Sequence, residues 1–427
     1  MSSIYRDLRA FMETFPIVDT HEHLPGEQER LDQKVDFSTL FSHYCRSDIG
    51  AAGMSDQDVD RFYDMNTEVS EKWRLFAPIY AQIRNGSYAR AARISMEKFY
   101  GYDDLTCEAD ALEVTERIRA ANTPGLYGRV LKDTCNLRVS MNFQGFEVDP
   151  RYFRPVEFVT ELCDIRSVAN LHEVARSLEA EPAPTLDRYV DDLWSFMRRK
   201  KDAGLAGIKY HYAYMRDLYF ESVTTADAER VFNRIYEESQ GWRDVVLGFE
   251  EARPLQSYLV HRMVEMAGEV DLPVVFHVGI QAANHNRPDN CRPERLWSLI
   301  NRFRSTTFIL LHSGIPWTDE AGMLAKYFAN VYLDMAWDHI ISPELSERAI
   351  RTWVDMVPKN KLFGFGGDYM VVEKVFGHLE MAKDTIARTF AGMVDQKVMS
   401  VEDARSWIRA ILHDNPAVVY KLDELGA

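Results

Sequence analysis

The chain has 427 residues, a formal net charge of −16 and an apolar fraction of 46%, which are ordinary values for a globular enzyme. The acidic balance argues against a nucleic-acid partner, because binding phosphates requires clustered lysines and arginines. Five cysteines without a C-x-x-C pair indicate reduced thiols. With a polar N-terminus and no apolar run of about 18 residues, these features predict a cytoplasmic protein without a membrane partner.

Short apolar runs alternate with helix-like segments along the chain, which predicts βα units and a parallel sheet. Eight such runs favour an α/β fold, a (β/α)8 TIM barrel that forms one domain over residues 1–427. The predicted strands are Ile17–Thr20, Leu137–Phe143, Val156–Glu161, Gly207–Tyr212, Leu272–Val278, Thr307–Leu311, Val331–Met335 and Leu362–Phe365.

Two long insertions are expected, because a barrel of this kind needs only about 250 residues. The first is a helical insertion after strand 1, over residues 27–135, with helices at Asp58–Ile83 and Ala109–Ala120. The second is a helical insertion after strand 4, from Met215 to Asp271, with a helix at Ala228–Glu238.

The end of strand 1 carries the segment Asp19-Thr20-His21-Glu22-His23. Residues two apart on a strand point the same way, so His21 and His23 can converge just past its end. Neutral imidazoles bind Zn²⁺ and related ions well, which makes the pair the start of a metal site. A pair of solvated loop histidines is the alternative, and this motif alone leaves both open.

Later strands end in residues that suit the same site. In barrels of this kind the active site lies at the carboxyl ends of the strands. Those ends carry Lys209 on strand 4, His277 on strand 5, His312 on strand 6 and Asp368 on strand 8. Each one alone is explained by a hydrogen-bonded histidine, a turn residue or a solvated lysine. Such coincidences at every one of these ends are improbable, so together they indicate one catalytic site.

These segments resemble the amidohydrolase superfamily, and most closely its amidohydrolase-2 branch. The helical piece after strand 1 also resembles uronate isomerases, more loosely. The segments that carry the resemblance are Asp19–His23, Leu272–His277, Leu310–Gly314, Asn330–Asp334, Phe363–Tyr369 and Asn415–Ala417.

The resemblance implies a metal-dependent enzyme. It implies that His21, His23, His277 and Asp368 hold one divalent ion, with zinc expected first and manganese or another metal as alternatives. His312 would act beside it as a proton-handling or carbonyl-polarising group, and Asp368 would take the proton of a metal-activated water.

Lys209 leaves open whether the site binds one metal ion or two. In two-metal members of the superfamily a lysine at this strand end is carboxylated and bridges the ions. Because the chain resembles the amidohydrolase-2 branch, one metal is expected, with Lys209 as an unmodified pocket cation.

Substrate-binding candidates follow strands 4, 5 and 7. Arg216 and Arg287 are placed to clamp a carboxylate in two-pronged fashion. Tyr212 and Trp337 are expected to line the same mouth. A surface salt bridge is the alternative for each of the two arginines.

Three functions fit this pattern of residues. The first is a metal-dependent hydrolase of a small carboxylate-bearing amide, lactone or ester. The second is a non-hydrolytic enzyme on the same scaffold, either a decarboxylase or an aldose–ketose isomerase of a sugar acid. The third is a non-catalytic protein with a structural metal, which the absence of cysteine at these strand ends disfavours. The expected partner is a small organic acid, and a homo-oligomer is expected.

Overall fold

Eight parallel strands in consecutive order frame the molecule in the computed structural model, which describes residues 2–143, 149–239 and 245–424. Each strand pairs with the next one in parallel, and their apolar side chains are buried, as expected for a sheet covered by helices. The predicted TIM barrel is therefore confirmed. The strands are β1 (Ile17–Glu22), β2 (Leu137–Asn142), β3 (Phe153–Phe158), β4 (Gly207–Tyr210), β5 (Val274–Phe276), β6 (Phe308–Leu310), β7 (Val331–Asp334) and β8 (Leu362–Phe363).

The barrel closes through the residues that follow β8. There the Asp368 amide donates to the His21 carbonyl (2.7 Å), and the His23 amide donates to the Tyr369 carbonyl (3.0 Å). These backbone hydrogen bonds join the end of the last strand to the end of the first. Closure of the barrel therefore brings Asp368 beside His21 at the end of β1 and His23 just after it.

Helices cover the barrel and form the insertions. The α-helices are α1 (Ser3–Phe11), α2 (Glu27–Asp32), α3 (Cys45–Ala51), α4 (Asp56–Tyr63), α5 (Val69–Ile83), α6 (Ser87–Tyr100), α7 (Glu108–Ala121), α8 (Thr160–Cys163), α9 (Val168–Ser177), α10 (Leu186–Asp202), α11 (Thr225–Glu238), α12 (Phe249–Glu269), α13 (Trp297–Arg302), α14 (Thr318–Tyr327), α15 (Asp338–Ile341), α16 (Pro343–Met356), α17 (Val372–Asp395), α18 (Val401–Arg409) and α19 (Asn415–Val419). Shorter or wider helical turns occupy Met12–Thr14, Phe37–Phe41, Gly128–Thr134, Tyr212–Tyr214, Pro288–Cys291, Pro293–Leu296, His312–Gly314, Lys359–Lys361 and Ala410–Asp414.

The insertion after β1 is helical, as predicted, and contains α2 to α7. Its apolar side chains form a cluster of their own, in which the rings of Phe62 and Phe76 stack with centroids 4.8 Å apart. The single helix predicted over Asp58–Ile83 is wrong, because the chain breaks between α4 and α5. At the break the Asp64 carboxylate accepts from the Asn66 amide (2.9 Å), a local turn that competes with helix.

Buried polar contacts fasten this insertion to α17. Arg30 Nη2 donates to Glu373 Oε1 (2.6 Å), and the Tyr100 hydroxyl donates to the same oxygen (2.9 Å). Beside them Lys374 Nζ donates to the Ser42 carbonyl (2.6 Å). Arg30, Glu373 and Lys374 are all buried. The insertion is therefore a fixed part of the barrel wall.

Arg30→Met is expected to lower the free energy of unfolding by about 3–5 kcal/mol, because it leaves the Glu373 carboxylate buried without a counter-charge. Arg46→Met is the matched control, since Arg46 and Asp60 form an exposed pair and such pairs contribute about 1 kcal/mol or less. Urea denaturation of both variants measures the difference. Equal losses in the two variants would contradict this role of Arg30.

The segment between β4 and β5 is also helical, as predicted, with α11 and α12. The Thr224 hydroxyl oxygen accepts from the Asp227 amide (3.2 Å) and caps the start of α11. Residues 240–244 of the predicted insertion lie outside the described residues. Every helix in the described part of the chain is too short or too polar to cross a membrane.

Candidate metal centre

A cavity of about 330 Å³ opens at the carboxyl ends of the strands. It gathers five of the side chains that the sequence placed in the site, namely His21, His23, Lys209, His277 and Asp368. Its other described lining residues are His43, Tyr44, Phe158, His211, Tyr214 and Ala282. Residues from β1, β3, β4 and β5 and from the segment after β8 therefore meet at one place.

Three of these side chains converge closely enough to share one ion. His21 Nε2 and His23 Nε2 lie 3.1 Å apart, and Asp368 Oδ1 lies 3.4 Å from the first and 3.2 Å from the second. Ligand atoms about 2.1 Å from one ion are separated by about 3.0–3.4 Å at angles between square and tetrahedral. The His21, His23 and Asp368 group can therefore bind a metal.

The ionisation of this group also suits metal binding. Burial lowers the pKa of His21 well below its usual value, so its ring is neutral. Burial would raise the pKa of Asp368, but His21, His23 and His312 hold it well below its usual range. A neutral imidazole and an ionised carboxylate are the forms that ligate a divalent ion.

His277 and His312 form a second imidazole pair beside this group. His277 Nε2 contacts the Ile280 carbonyl and His312 Nδ1 the Ala336 carbonyl, both at 2.9 Å, so each of these nitrogens carries the proton. The nitrogens that face each other, His277 Nδ1 and His312 Nε2, lie 3.1 Å apart and both carry lone pairs. Such a contact is stable only when a proton or a cation lies close to both. Ligation by His277 and proton handling by His312 remain predictions.

The backbone adopts the left-handed region at three residues around the centre. The φ angles are 58° at Asp368, 59° at His312 and 69° at Trp337, which follow β8, β6 and β7. Residues other than glycine adopt this conformation at a cost of about 1–3 kcal/mol, and such residues cluster at functional sites. The strain supports a functional reason for this arrangement.

Lys209 reaches the cavity from β4. Its side chain is only 2% exposed, and its ammonium lies 5.3 Å from the centroid of the Phe143 ring. Burial lowers the pKa of Lys209 to about 7, against the opposing effect of Asp368. The prediction of one metal with an unmodified Lys209 stays a prediction.

His43 and Tyr44 enter the site from the insertion, and neither was predicted from sequence. Their rings stack with centroids 3.9 Å apart, and Tyr44 stacks in turn on Trp337 at 4.0 Å. Burial, then the charge of Asp368, raises the pKa of the Tyr44 phenol well above its usual value, and a hydrogen bond to Asp368 adds to this effect. The only signal for these two residues in the sequence is their position after strand 1, because the loops that follow barrel strands lie at the active-site face.

The predicted substrate-binding residues lie at the edges of this cavity or beyond it. Tyr212 and Trp337 are fully buried, and Trp337 lies behind Tyr44. Arg216 and Arg287 line a separate cavity of about 350 Å³, which shares Tyr214 with the first one. The structure therefore does not bring these four side chains together, and their contact with substrate stays a prediction.

His378 packs against the segment that carries Asp368. We expect its titration to make the free energy of unfolding depend on pH. His378 Nδ1 donates to the Gly367 carbonyl (3.0 Å), and burial lowers the pKa of His378 to about 3. Histidine in an unfolded chain titrates near about 6.5, so the unfolded state binds more protons between pH 6.5 and 3. The contribution of neutral His378 to the free energy of unfolding is therefore complete above pH 6.5. It is lost on acidification, by up to about 1.4 kcal/mol per pH unit.

The test is the slope of the free energy of unfolding between pH 7 and pH 5, measured on metal-free protein. We expect a shallower slope in His378→Gln than in the wild type. His285→Gln, at an exposed position, is the control. A slope in His378→Gln equal to that of the wild type would contradict the expectation.

The sequence of the second half of the chain matches a known family. Residues 195–422, which include β4 to β8, match the family described as Amidohydrolase. A curated relative, Protein fluG of Emericella nidulans, is 27% identical over 229 residues, which are 52% of this chain and 26% of that protein. This chain therefore spans far less than the full length of the curated relative it matches.

Solved structures match nearly the whole chain. Uronate isomerase from Thermotoga maritima has a TM-score of 0.78 at 15% identity and covers 98% of both chains. Glucuronate isomerase from Caulobacter crescentus has a TM-score of 0.77 at 19% identity, over 99% of this chain and 94% of the other. At these identities the likeness concerns the fold, and it includes the helical insertion after β1.

Proposed function

The chain belongs to the amidohydrolase family, and from this premise we propose that it is a metal-dependent aldose–ketose isomerase of a sugar acid. The observation that carries the proposal is the pair formed by Tyr44 and Asp368 at the metal centre. The likeness of the whole chain to two uronate isomerases supports it further.

Isomerisation requires two proton movements and no change in composition. One proton passes from C2 of the sugar to C1, and one passes from the C2 hydroxyl to the aldehyde oxygen. An enzyme for this reaction therefore needs a group that accepts a proton and a group that donates one, both within reach of neighbouring atoms.

Tyr44 and Asp368 have these opposite properties. The low pKa of Asp368 keeps it a carboxylate that accepts a proton, and the raised pKa of Tyr44 keeps the phenol protonated. Neighbouring groups whose surroundings push their pKa values apart are typical acid–base partners. Asp368 Oδ2 lies 3.8 Å from His312 Nδ1, so His312 is placed to assist the carboxylate.

The side chains of the centre are packed against the protein on most sides. His21, Asp368 and His312 are each at most 3% exposed. Aromatic side chains such as Phe158, Tyr44 and Tyr214 form much of the cavity wall.

The expected cofactor is one divalent ion held by His21, His23 and Asp368, with His277 as a further ligand. Imidazole and carboxylate ligands suit zinc first and manganese as an alternative. A bound ion would supply a Lewis acid that polarises the carbonyl group of the sugar.

The test is incubation of the zinc-loaded protein with D-glucuronate and D-galacturonate in D₂O. We expect a ketose of unchanged composition, with deuterium from solvent at C1, by NMR and mass spectrometry. Release of carbon dioxide would instead indicate a decarboxylase.

Hydrolysis of a small carboxylate-bearing amide, lactone or ester is the second candidate, and the family description supports it. Turnover of such compounds in H₂¹⁸O, with label in the new carboxylate, would replace the isomerase proposal. A protein that converts uronates without uptake of ¹⁸O at a cleaved carbonyl would exclude the hydrolase.

A further inference from the structure

Lys209 brings a buried amino group to the metal cavity. Among the described residues no hydrogen bond or salt bridge reaches its Nζ, and its only close contact of this kind is the Phe143 ring. The side chain lines the cavity, so a bound molecule can reach the ammonium.

The charged form of this amino group is unfavourable unless a bound anion pairs with it, because burial removes water from the ammonium. The carboxylates that act on Lys209 from a distance are Asp368 and Asp334. Asp368 faces His21 and His23. Asp334 Oδ1 accepts from the Thr20 hydroxyl (2.9 Å) and the Ala336 amide (2.8 Å). Asp334 Oδ2 is buried without a hydrogen-bond partner, but among the described residues no salt bridge joins either carboxylate to the Lys209 ammonium.

The arginines proposed from sequence for a carboxylate clamp do not supply this contact in the metal cavity. Arg216 Nη1 donates to Gln256 Oε1 (2.7 Å) and Nη2 donates to the Tyr219 carbonyl (2.6 Å). Arg216 and Arg287 both line the neighbouring cavity. Within the described lining of the metal cavity, Lys209 is the one side chain of the lysine and arginine type.

The charge of the cavity also favours an anionic ligand. Asp368 is the one carboxylate in the described lining of the cavity, so a divalent ion at the centre would leave the cavity with a net positive charge. In surroundings of low dielectric an excess of this kind attracts a negatively charged molecule.

We propose that Lys209 selects the acid group of the substrate, its unmodified ammonium forming an ion pair with the carboxylate of a sugar acid bound at the metal centre. The proposal rests on the proposed function for the nature of the substrate. It makes Lys209 the residue that distinguishes a sugar acid from the corresponding neutral compound.

The test measures binding and requires no turnover. Zinc-loaded wild type, Lys209→Met and Lys326→Met are titrated in a calorimeter with D-gluconate and with D-glucitol, which share a six-carbon chain and differ in the acid group. Lys326 is an exposed lysine on α14 and serves as the matched control. Zinc content and melting temperature are measured for each protein.

We expect the wild type and Lys326→Met to bind D-gluconate at least about tenfold more tightly than D-glucitol, as for one charge pair. In Lys209→Met the two affinities should agree within about twofold, with zinc content unchanged. The proposal is overturned if Lys209→Met keeps the preference, if the wild type shows none, or if Lys209→Met loses half of its metal. A protein that passes this test but converts no uronate would keep Lys209 as the acid-selecting residue and reject the isomerase.

Discussion

Asp368→Asn is expected to weaken metal affinity by at least about 100-fold and to lower turnover by about 1,000-fold or more. The amide keeps the shape of the side chain but removes the charge that faces His21 and His23 across 3.4 Å and 3.2 Å. A bound ion provides several kcal/mol of transition-state stabilisation, and each 1.4 kcal/mol corresponds to about a tenfold change in rate.

Elemental analysis after dialysis, combined with kcat measured on a uronate, tests this expectation. Asp319→Asn is the matched control, because Asp319 is half-exposed and pairs with Arg348 on the surface. Asp368→Asn with a full complement of metal would show that Asp368 is not a ligand. Full metal content with lost turnover would leave Asp368 a role in proton transfer alone.

Tyr44→Phe is expected to lower kcat by about 100- to 10,000-fold, the range for loss of a positioned proton donor, while metal content stays at the wild-type level. The phenylalanine ring keeps the stacking on Trp337 at 4.0 Å, so only the hydroxyl next to Asp368 is lost. Steady-state kinetics with metal analysis of the same preparation measure both quantities.

Tyr327→Phe, at a position 64% exposed on α14, controls for the loss of a phenol. A kcat of Tyr44→Phe within about twofold of the wild type would remove Tyr44 from the proton transfer. A metal content lowered together with kcat would assign Tyr44 to the shape of the centre and not to the chemistry.

The barrel and the convergence of His21, His23 and Asp368 were predictable from sequence because both depend on local patterns. Each apolar run became a strand, and the carboxyl ends of parallel strands meet at one face. The small errors in the predicted strand boundaries have local causes. The strand predicted at Val156–Glu161 is found at Phe153–Phe158. A proline such as Pro155 usually indicates a break in a strand, so the sequence pattern places the start of this strand too late. In the fold the Pro155 carbonyl accepts from the Ala206 amide (2.8 Å) and the ladder continues.

The residues that the sequence could not place depend on long-range packing. Tyr44 lies in a helical insertion whose position is fixed by contacts with α17, far away in sequence. A similar limit applies to Tyr212, which the sequence placed at the mouth. After β4 the chain turns tightly over Tyr212–Tyr214, so Tyr214 lines the cavity and Tyr212 packs in the core.

Attachment of the insertion to α17 also limits what can enter the site. Arg30 and Lys374 are both buried in these contacts, so any outward movement of this wall would have to break a buried ion pair and a buried hydrogen bond. We therefore expect the slow step to be chemical or diffusive, not a gating motion. The cavity of about 330 Å³ beside this wall offers room for a single monosaccharide.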